Sequence, residues 1–298
     1  MRAVWSFWSA PYAAHYRHAW HRPIDHLLSW VVSVQTARRH HTEAVLVTDT
    51  PGRQLLAERL GLPFTAVSTE LDQLRDEDPA WWMLGKLVAY SRQTAPFVHI
   101  DSDVFLWNPL PARLIAAPLF AQNPEQHLAS RDYRPGDIIL AMAETGGSLP
   151  PEWEWGSSRG PVLDAVNCGI LGGQDAAFVR HYAAAAVGIV LGQGNRAGWR
   201  RLPDRQQYNF VIEQFFLSAC LGYHRGRPNS PYAGVRAEHL FQSWNEAFDP
   251  NHAARVGYTH LMGAKRHPAA SRRLEQRVRR DWPDLYRRCE RLQHAQPI

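Results

Sequence analysis

The first hundred residues alternate short apolar runs with helix-length amphipathic ones, and this rhythm limits the folds open to the chain more than any other feature. Ala3 to Trp8 alternates weakly and predicts a strand, broken at Ser9-Ala10-Pro11. From Ile24 to about Arg39, Ile24, Leu27, Leu28, Val31 and Val34 recur at helical spacing, with Pro23 near the start and Arg38-Arg39 in the last turn. Ala44 to Val47 predicts a second strand, ended by Thr48-Asp49-Thr50-Pro51-Gly52, and Gln54 to Leu60 a helix stopped by Gly61 and Pro63. Phe64 to Val67 predicts a further strand and Trp81 to Ser91 a further helix. Strand, helix, strand, helix is the rhythm of parallel strands joined by crossover helices. The expectation is an α/β fold: a single Rossmann-like domain with a mainly parallel central sheet flanked by helices.

The next run, Pro96 to Phe105, carries chemistry. Its apolar residues predict a short buried strand that ends on Asp101-Ser102-Asp103. Side chains at i and i+2 of a strand share a face, so the two carboxylates are expected to converge on one hard cation. The plainer alternative is that one Asp caps the next turn and the other is solvated. Beyond it, Leu119-Phe120-Ala121 and Ala165 to Leu171 predict strands, while Asp175 to about Leu191 and Arg205 to Leu221 predict helices. Residues 123–161, rich in Pro, Gly, Trp and charge, read as a long insertion or flexible lid. The expected organisation is one domain over 1–270 and a basic helix and tail over 271–298.

Composition narrows the class. With 45% hydrophobic and 20% charged residues the chain is expected to fold rather than stay disordered. Cys168, Cys220 and Cys289 are odd in number and far apart, which suggests neither a disulfide framework nor a zinc cluster and fits a reducing cytoplasm. Neither a signal peptide nor a membrane anchor is expected, the longest apolar run, Ala183 to Leu191, being too short to span a bilayer. Of the formal net charge of +5, eight arginines and four acids between Ser271 and Gln293 account for +4. Such a helix is a solvated face more often than a nucleic-acid surface, so no nucleic-acid partner is expected. It remains able to hold an acidic partner or a phosphate-bearing substrate.

Three further clusters stand out. Asn167-Cys168-Gly169-Ile170-Leu171-Gly172-Gly173 places small residues at a strand end, where a ligand can approach the backbone closely. Glu213-Gln214 interrupts an apolar helix, and its side chains either need partners inside or face solvent. His260-Leu261-Met262-Gly263-Ala264-Lys265 offers an imidazole for a metal, a glycine that allows close approach and a lysine for a phosphate. Each has a structural reading taken alone.

Together and in this order, the clusters resemble the metal-dependent glycosyltransferases of the GT-A fold, particularly the glycogenin-like retaining group. That group has a strand-terminal Asp-x-Asp, a later Asn-x-Gly strand and a late His-x-x-Gly-x-x-Lys segment; here the last reads His260-x-x-Gly263-x-Lys265, one residue shorter. Over most of its length the chain also resembles an uncharacterised bacterial family. The shared features are the Ser6-Phe7-Trp8-Ser9 opening, Gly85-Lys86, His99-x-Asp101-x-Asp103 and Asn167-x-Gly169-Ile170-x-Gly172-Gly173. Some members of that family occur beside peptide natural-product genes.

The resemblance implies a GT-A-like domain and a cytoplasmic enzyme that transfers a sugar from a nucleoside-diphosphate sugar to a small-molecule or peptide acceptor. It implies Mn²⁺ or Mg²⁺ held by Asp101, Asp103 and His260, with Lys86 or Lys265 as a second positive charge. It puts Gly263 beside the phosphates and Trp5, Phe7 and Asp49 near the base and ribose, although core packing is the competing reading for the two rings. Catalysis would fall to Glu213 as a base in an inverting enzyme, or to Gln214 or Asn167 near the reacting face in a retaining one. An alternative is an inactive relative that binds a peptide or protein in natural-product biosynthesis. A third reading, a hydrolase whose metal sits on His99, Asp101 and Asp103, leaves the Asn-Gly and His-Gly-Lys clusters without roles.

Overall fold

The computed structural model describes residues 1–15 and 19–295. The strands are β1 (Arg2–Phe7), β2 (Ala44–Thr48), β3 (Ala66–Ser68), β4 (Phe97–Ile100), β5 (Val104–Leu106), β6 (Leu119–Leu128), β7 (Val162–Gly173), β8 (Ala237–His239) and β9 (Tyr258–His260). The chain is α/β with mainly parallel sheet pairing and flanking helices, as expected from the alternation. Two compact units are distinguished: Met1–Ala80 with Val98–Leu110 and Pro250–Ile298, and Trp81–Phe97 with Pro111–Asp249.

In the first unit the strands run in the order β3-β2-β1-β4. β1 pairs parallel with β2 from Ala3↔Ala44 to Phe7↔Thr48, and β2 pairs parallel with β3. The helix Pro23–Ala37 starts where the sequence places it: Pro23 supplies the pre-set φ of a first turn, and the Asp25 carboxylate accepts from the Arg22 N–H at 3.0 Å. Its polar residues Ser29, Ser33 and Thr36 are buried along with Leu28, Val31 and Val32. A second, two-stranded sheet pairs β5 antiparallel with β9, setting Val104 opposite His260. The expected helix after β2 is present as Arg53–Arg59, wound wider than an α-helix, with the Leu60 N–H reaching the Leu55 carbonyl at 2.9 Å.

The basic segment forms two helices, Pro268–Asp281 and Pro283–Ala295, both packed on helix Pro23–Ala37. Leu274, Val278 and Cys289 are buried there, and the Arg22 guanidinium lies 2.7 Å from Glu275. The segment is thus part of this unit's core as well as a charged face. The end of the expected tail, residues 296–298, lies outside the described residues.

In the second unit the order is β7-β6-β8. β6 and β7 pair antiparallel from Phe120↔Gly172 to Leu128↔Val162, with an irregularity between Ala121 and Asn123, while β8 pairs parallel with β6. Residues 123–161, expected as an insertion or lid, continue β6 and then form the helices Pro135–Ala143 and Pro151–Ser157. Trp153 is fully buried against Phe215 and Phe216, at ring-centroid distances of 5.5 and 5.7 Å. A Cβ on Gly156 would stand 2.5 Å from the Ala219 Cβ, so the missing side chain lets helix Pro151–Ser157 lie close to helix Phe216–Arg225. Apolar content along the stretch is low, yet one large ring and one glycine suffice to anchor it. The helix expected over 205–221 is one helical stretch from Gln206 to Arg225, wound tighter than an α-helix over Gln206–Tyr208 and wider over Val211–Phe215. Among the described residues no helix is long and apolar enough to cross a membrane.

Candidate metal and phosphate site

The first unit brings Asp101, Asp103 and His260 together. One ligand atom from each lies within 4.8 Å of the others. The carboxylates do not converge through strand alternation, because β4 stops at Ile100 and β5 begins at Val104. Residues 101–103 form a tight turn instead, closed by the Val104 N–H donating to the Asp101 carbonyl at 2.9 Å. Helix Pro23–Ala37 fixes the turn: the Ser29 hydroxyl donates to the Ser102 carbonyl at 2.7 Å and the Ser33 hydroxyl to the Asp101 carbonyl at 3.2 Å. The sequence already contained a signal for this, since two serines at i and i+4 on an apolar helix face are polar groups that need buried partners.

β9 delivers the imidazole. Its register puts His260 opposite Val104, and the Leu261 N–H donates to the Asp103 carbonyl at 3.0 Å, so backbone pairing fixes His260 beside the carboxylate. His260 Nε2 lies 3.5 Å and Lys265 Nζ 2.7 Å from Asp103 Oδ2. Between them Met262 holds a φ of +35°, a conformation disfavoured for a residue with a side chain. A Cβ on Gly263 would meet nothing within 4 Å. The Lys265 ammonium also faces the Trp20 ring, 5.4 Å from its centroid, and its carbonyl accepts from the His21 N–H at 2.9 Å.

The charge balance follows from this packing. Burial by itself would raise the Asp103 carboxyl, but the adjacent Lys265, then His260, pull it down to about 2. Nearby His26, which the motif reading passed over, is pushed down to about 3 by burial and by Lys265, and so is neutral at physiological pH. Its Nε2 accepts from the Trp30 N–H at 3.1 Å. The cluster therefore holds two acids, one imidazole and one ammonium. That donor set fits a hard, oxygen-preferring divalent ion.

The first unit also holds Trp5, Phe7 and Asp49, which the resemblance puts near a base and ribose. Trp5 is fully buried, donating to the Ser33 hydroxyl at 3.0 Å with its ring edge against Phe64. Phe7 is nearly as buried, among Tyr12, His26 and Trp30. Both rings thus have the core packing weighed against a nucleotide-stacking role. Asp49 uses one carboxylate oxygen to accept from Ser9 and the other to cap the turn at Gly52. His99 stands 2.9 Å from the Ser6 hydroxyl and 3.7 Å from Asp101.

Lys86, Asn167, Glu213 and Gln214 belong to the second unit, where each is buried with polar partners. Lys86 Nζ lies 2.8 Å from Glu213 Oε1 and donates to the Cys168 carbonyl at 2.8 Å. Gln214 accepts from the Tyr133 hydroxyl at 2.7 Å. Asn167 accepts from the Gly169 N–H at 3.0 Å and donates to Glu125 at 2.9 Å. Glu125 is a functional candidate that the motifs did not single out. Burial would raise its carboxyl, but hydrogen bonds from His127 and Asn167 outweigh that and hold it below the ordinary value. His127 in turn stacks on Tyr133, with centroids 4.0 Å apart. A cavity of about 750 Å³ in this unit is lined by Glu125, His127, Arg225, Arg236 and Trp244 among others.

Residues 1–292 match the family described as "Family of unknown function (DUF6734)". The chain belongs to that family. Among curated proteins no match is found. Among solved structures the chain is similar to one described as galactosyltransferase LgtC in complex with donor and acceptor sugar analogues, at 12% identity and a TM-score of 0.39, over 87% of this chain and 86% of that one. At that TM-score the likeness carries no argument about activity. What can be said of function for this member of the family therefore rests on its side chains.

Proposed function

We propose that the chain is a divalent-metal-dependent glycosyltransferase that uses a nucleoside-diphosphate sugar. The observation that carries this reading is the convergence of Asp101, Asp103 and His260 with the Lys265 ammonium 2.7 Å from Asp103. Two carboxylates and one ammonium leave a local charge of −1, which a divalent ion turns to +1, a balance suited to a diphosphate. When bound, Mn²⁺ or Mg²⁺ supplies Lewis-acid neutralisation of the departing diphosphate. Asp101, Asp103 and His260 would hold it. Lys265 exchanges its contact with Asp103 for a phosphate oxygen, and the open space over Gly263 admits that group.

Within the second unit, Glu213 is tied to Lys86 in a buried pair, which disfavours it as a base. Glu125, whose carboxyl is held below its ordinary value and accepts from Asn167, lines the second unit's cavity and is the carboxylate there available to a sugar hydroxyl.

The test is thermal unfolding with and without Mn²⁺, in the presence of a panel of nucleoside diphosphates, on wild type and Asp103→Asn. A ligand that binds only the folded state raises its melting temperature. A nucleotide should shift wild type only when metal is present and should not shift the variant. Equal, metal-independent shifts in both proteins would sink the proposal.

The second reading is binding of a peptide without transfer. Its support is not Trp153, which is core. In its place stand Trp244 and Phe248, half exposed and stacked at 3.9 Å, with Trp244 on the cavity rim. Calorimetry showing peptide affinity with no nucleotide affinity would favour that reading.

A further inference from the structure

A second cluster of metal-ligating atoms lies wholly within the second unit and is formed by residues that no motif connects. Glu152 comes from helix Pro151–Ser157, His181 from helix Ala176–Leu191 and His224 from helix Phe216–Arg225. Their three contacts are all close. His181 Nε2 lies 3.0 Å and His224 Nε2 3.2 Å from the same oxygen, Glu152 Oε1, and the two imidazole nitrogens are 3.1 Å apart.

We propose that Glu152, His181 and His224 form a binding site for a zinc-class divalent ion that clamps these three helices, with a fourth position open to water. Two imidazoles and one carboxylate are a recurrent zinc ligand set, with bonds of about 2.0–2.2 Å. A tetrahedron with such bonds has edges of about 3.3–3.6 Å, so the observed triangle needs to open by about half an ångström or less. The nitrogen-rich set also separates this site from the Asp101 cluster, whose two carboxylates suit a harder ion.

The surroundings favour an ion. Ser230 Oγ lies 2.8 Å from His224 Nδ1 and accepts from the Tyr232 N–H at 3.1 Å. When the same oxygen also accepts from Nδ1–H, the lone pair of His224 is left on Nε2, facing the cluster. The rings of Phe178, Tyr223 and Tyr232 hold the His224 imidazole in place, with centroids 5.1–6.3 Å from it. Glu152 and His224 are buried, whereas the His181 side chain is 32% exposed, so water reaches the cluster from that side. Without an ion, the lone pair of His224 is crowded against the Glu152 carboxylate at 3.2 Å, with one His181 Nε2–H to share between the two acceptors. An ion replaces that crowding with three bonds.

The experiment uses the full chain, stripped with a chelator and titrated with Zn²⁺ by calorimetry. Bound metal is measured by elemental analysis, and Co²⁺ substitution is followed by its visible spectrum. Wild type and Asp103→Asn should both retain one zinc ion per chain at this site, gain thermal stability from it and give the intense cobalt bands of a four-coordinate centre. His181→Ala, at the exposed corner, should lose the ion, the stabilisation and the bands together; if that variant does not fold, Glu152→Gln serves in its place. Zinc binding unchanged in the His181 or Glu152 variant, or no zinc bound by wild type at micromolar free metal, overturns the proposal. Because Asp103→Asn is the control, failure here is distinguishable from failure at the nucleotide site.

Discussion

Lys265 Nζ lies 2.7 Å from Asp103 Oδ2, so the carboxylate best placed to ligate an ion is neutralised by a lysine five residues beyond the imidazole that would share that ion. The ammonium and a divalent cation compete for one oxygen. Lys265→Ala should therefore tighten the binding of Mn²⁺ alone, by on the order of tenfold, or about 1.4 kcal/mol. The same change should weaken binding of the metal–nucleotide pair, because the phosphate loses its lysine. Calorimetric titrations of Mn²⁺ with and without nucleotide read both signs, and weakening of both would show that Lys265 only supports the turn.

The buried pair Lys86–Glu213, 2.8 Å apart with both side chains nearly inaccessible, gives a second prediction. Removing one partner strands the other charge inside, so Glu213→Ala should cost about 3–5 kcal/mol in urea unfolding. The double variant Lys86→Met, Glu213→Leu should recover most of that loss. If the recovered protein also keeps any transfer activity, the pair is structural and the base lies elsewhere.

Two glycines from the motifs should separate cleanly. Gly173 has a φ of +148°, and a Cβ there would stand 2.2 Å from the Pro118 carbonyl oxygen, a backbone atom that cannot rotate away. Gly173→Ala should cost about 3 kcal/mol or more, read as a lower urea midpoint. Gly263→Ala meets open space and should change stability by less than about 1 kcal/mol, while nucleotide affinity reports whether that space is used.

The buried thiols give a prediction at alkaline pH. Burial pushes Cys289 up to about 12 and Cys220 well above its ordinary value of 9.0. A folded-state value above the unfolded one means that the protonated thiol's contribution is full below about pH 9 and is lost as pH rises toward 12. The melting temperature should fall above pH 9, less steeply in Cys289→Ala. At pH 8 a thiol-alkylating reagent should label Cys289 only in urea.

Much of the fold was readable in advance because period carries it. Leu27, Leu28, Val31 and Val34 mark a helix face through local spacing, and the short apolar runs at 3–8, 44–47 and 97–100 mark strands regardless of their neighbours. Residues 123–161 were not readable, because Trp153 and Gly156 act through Phe215, Phe216 and Ala219, some sixty residues away. Nor were the changes of winding within the 205–221 helix.

By itself the sequence determined the α/β class, the helix Pro23–Ala37 and the types of residue available for a cation: two aspartates, a late histidine and a late lysine. Tertiary structure decided how they meet. The carboxylates converge through a turn stitched to Ser29 and Ser33, and β5–β9 pairing brings in His260 from more than 150 residues away. It also decided that Trp5 is core, that Lys86 answers Glu213, and that Glu152, His181 and His224 face one another. Local periodicity follows from the backbone's own geometry, whereas long-range convergence depends on which buried polar groups find partners once the chain has closed.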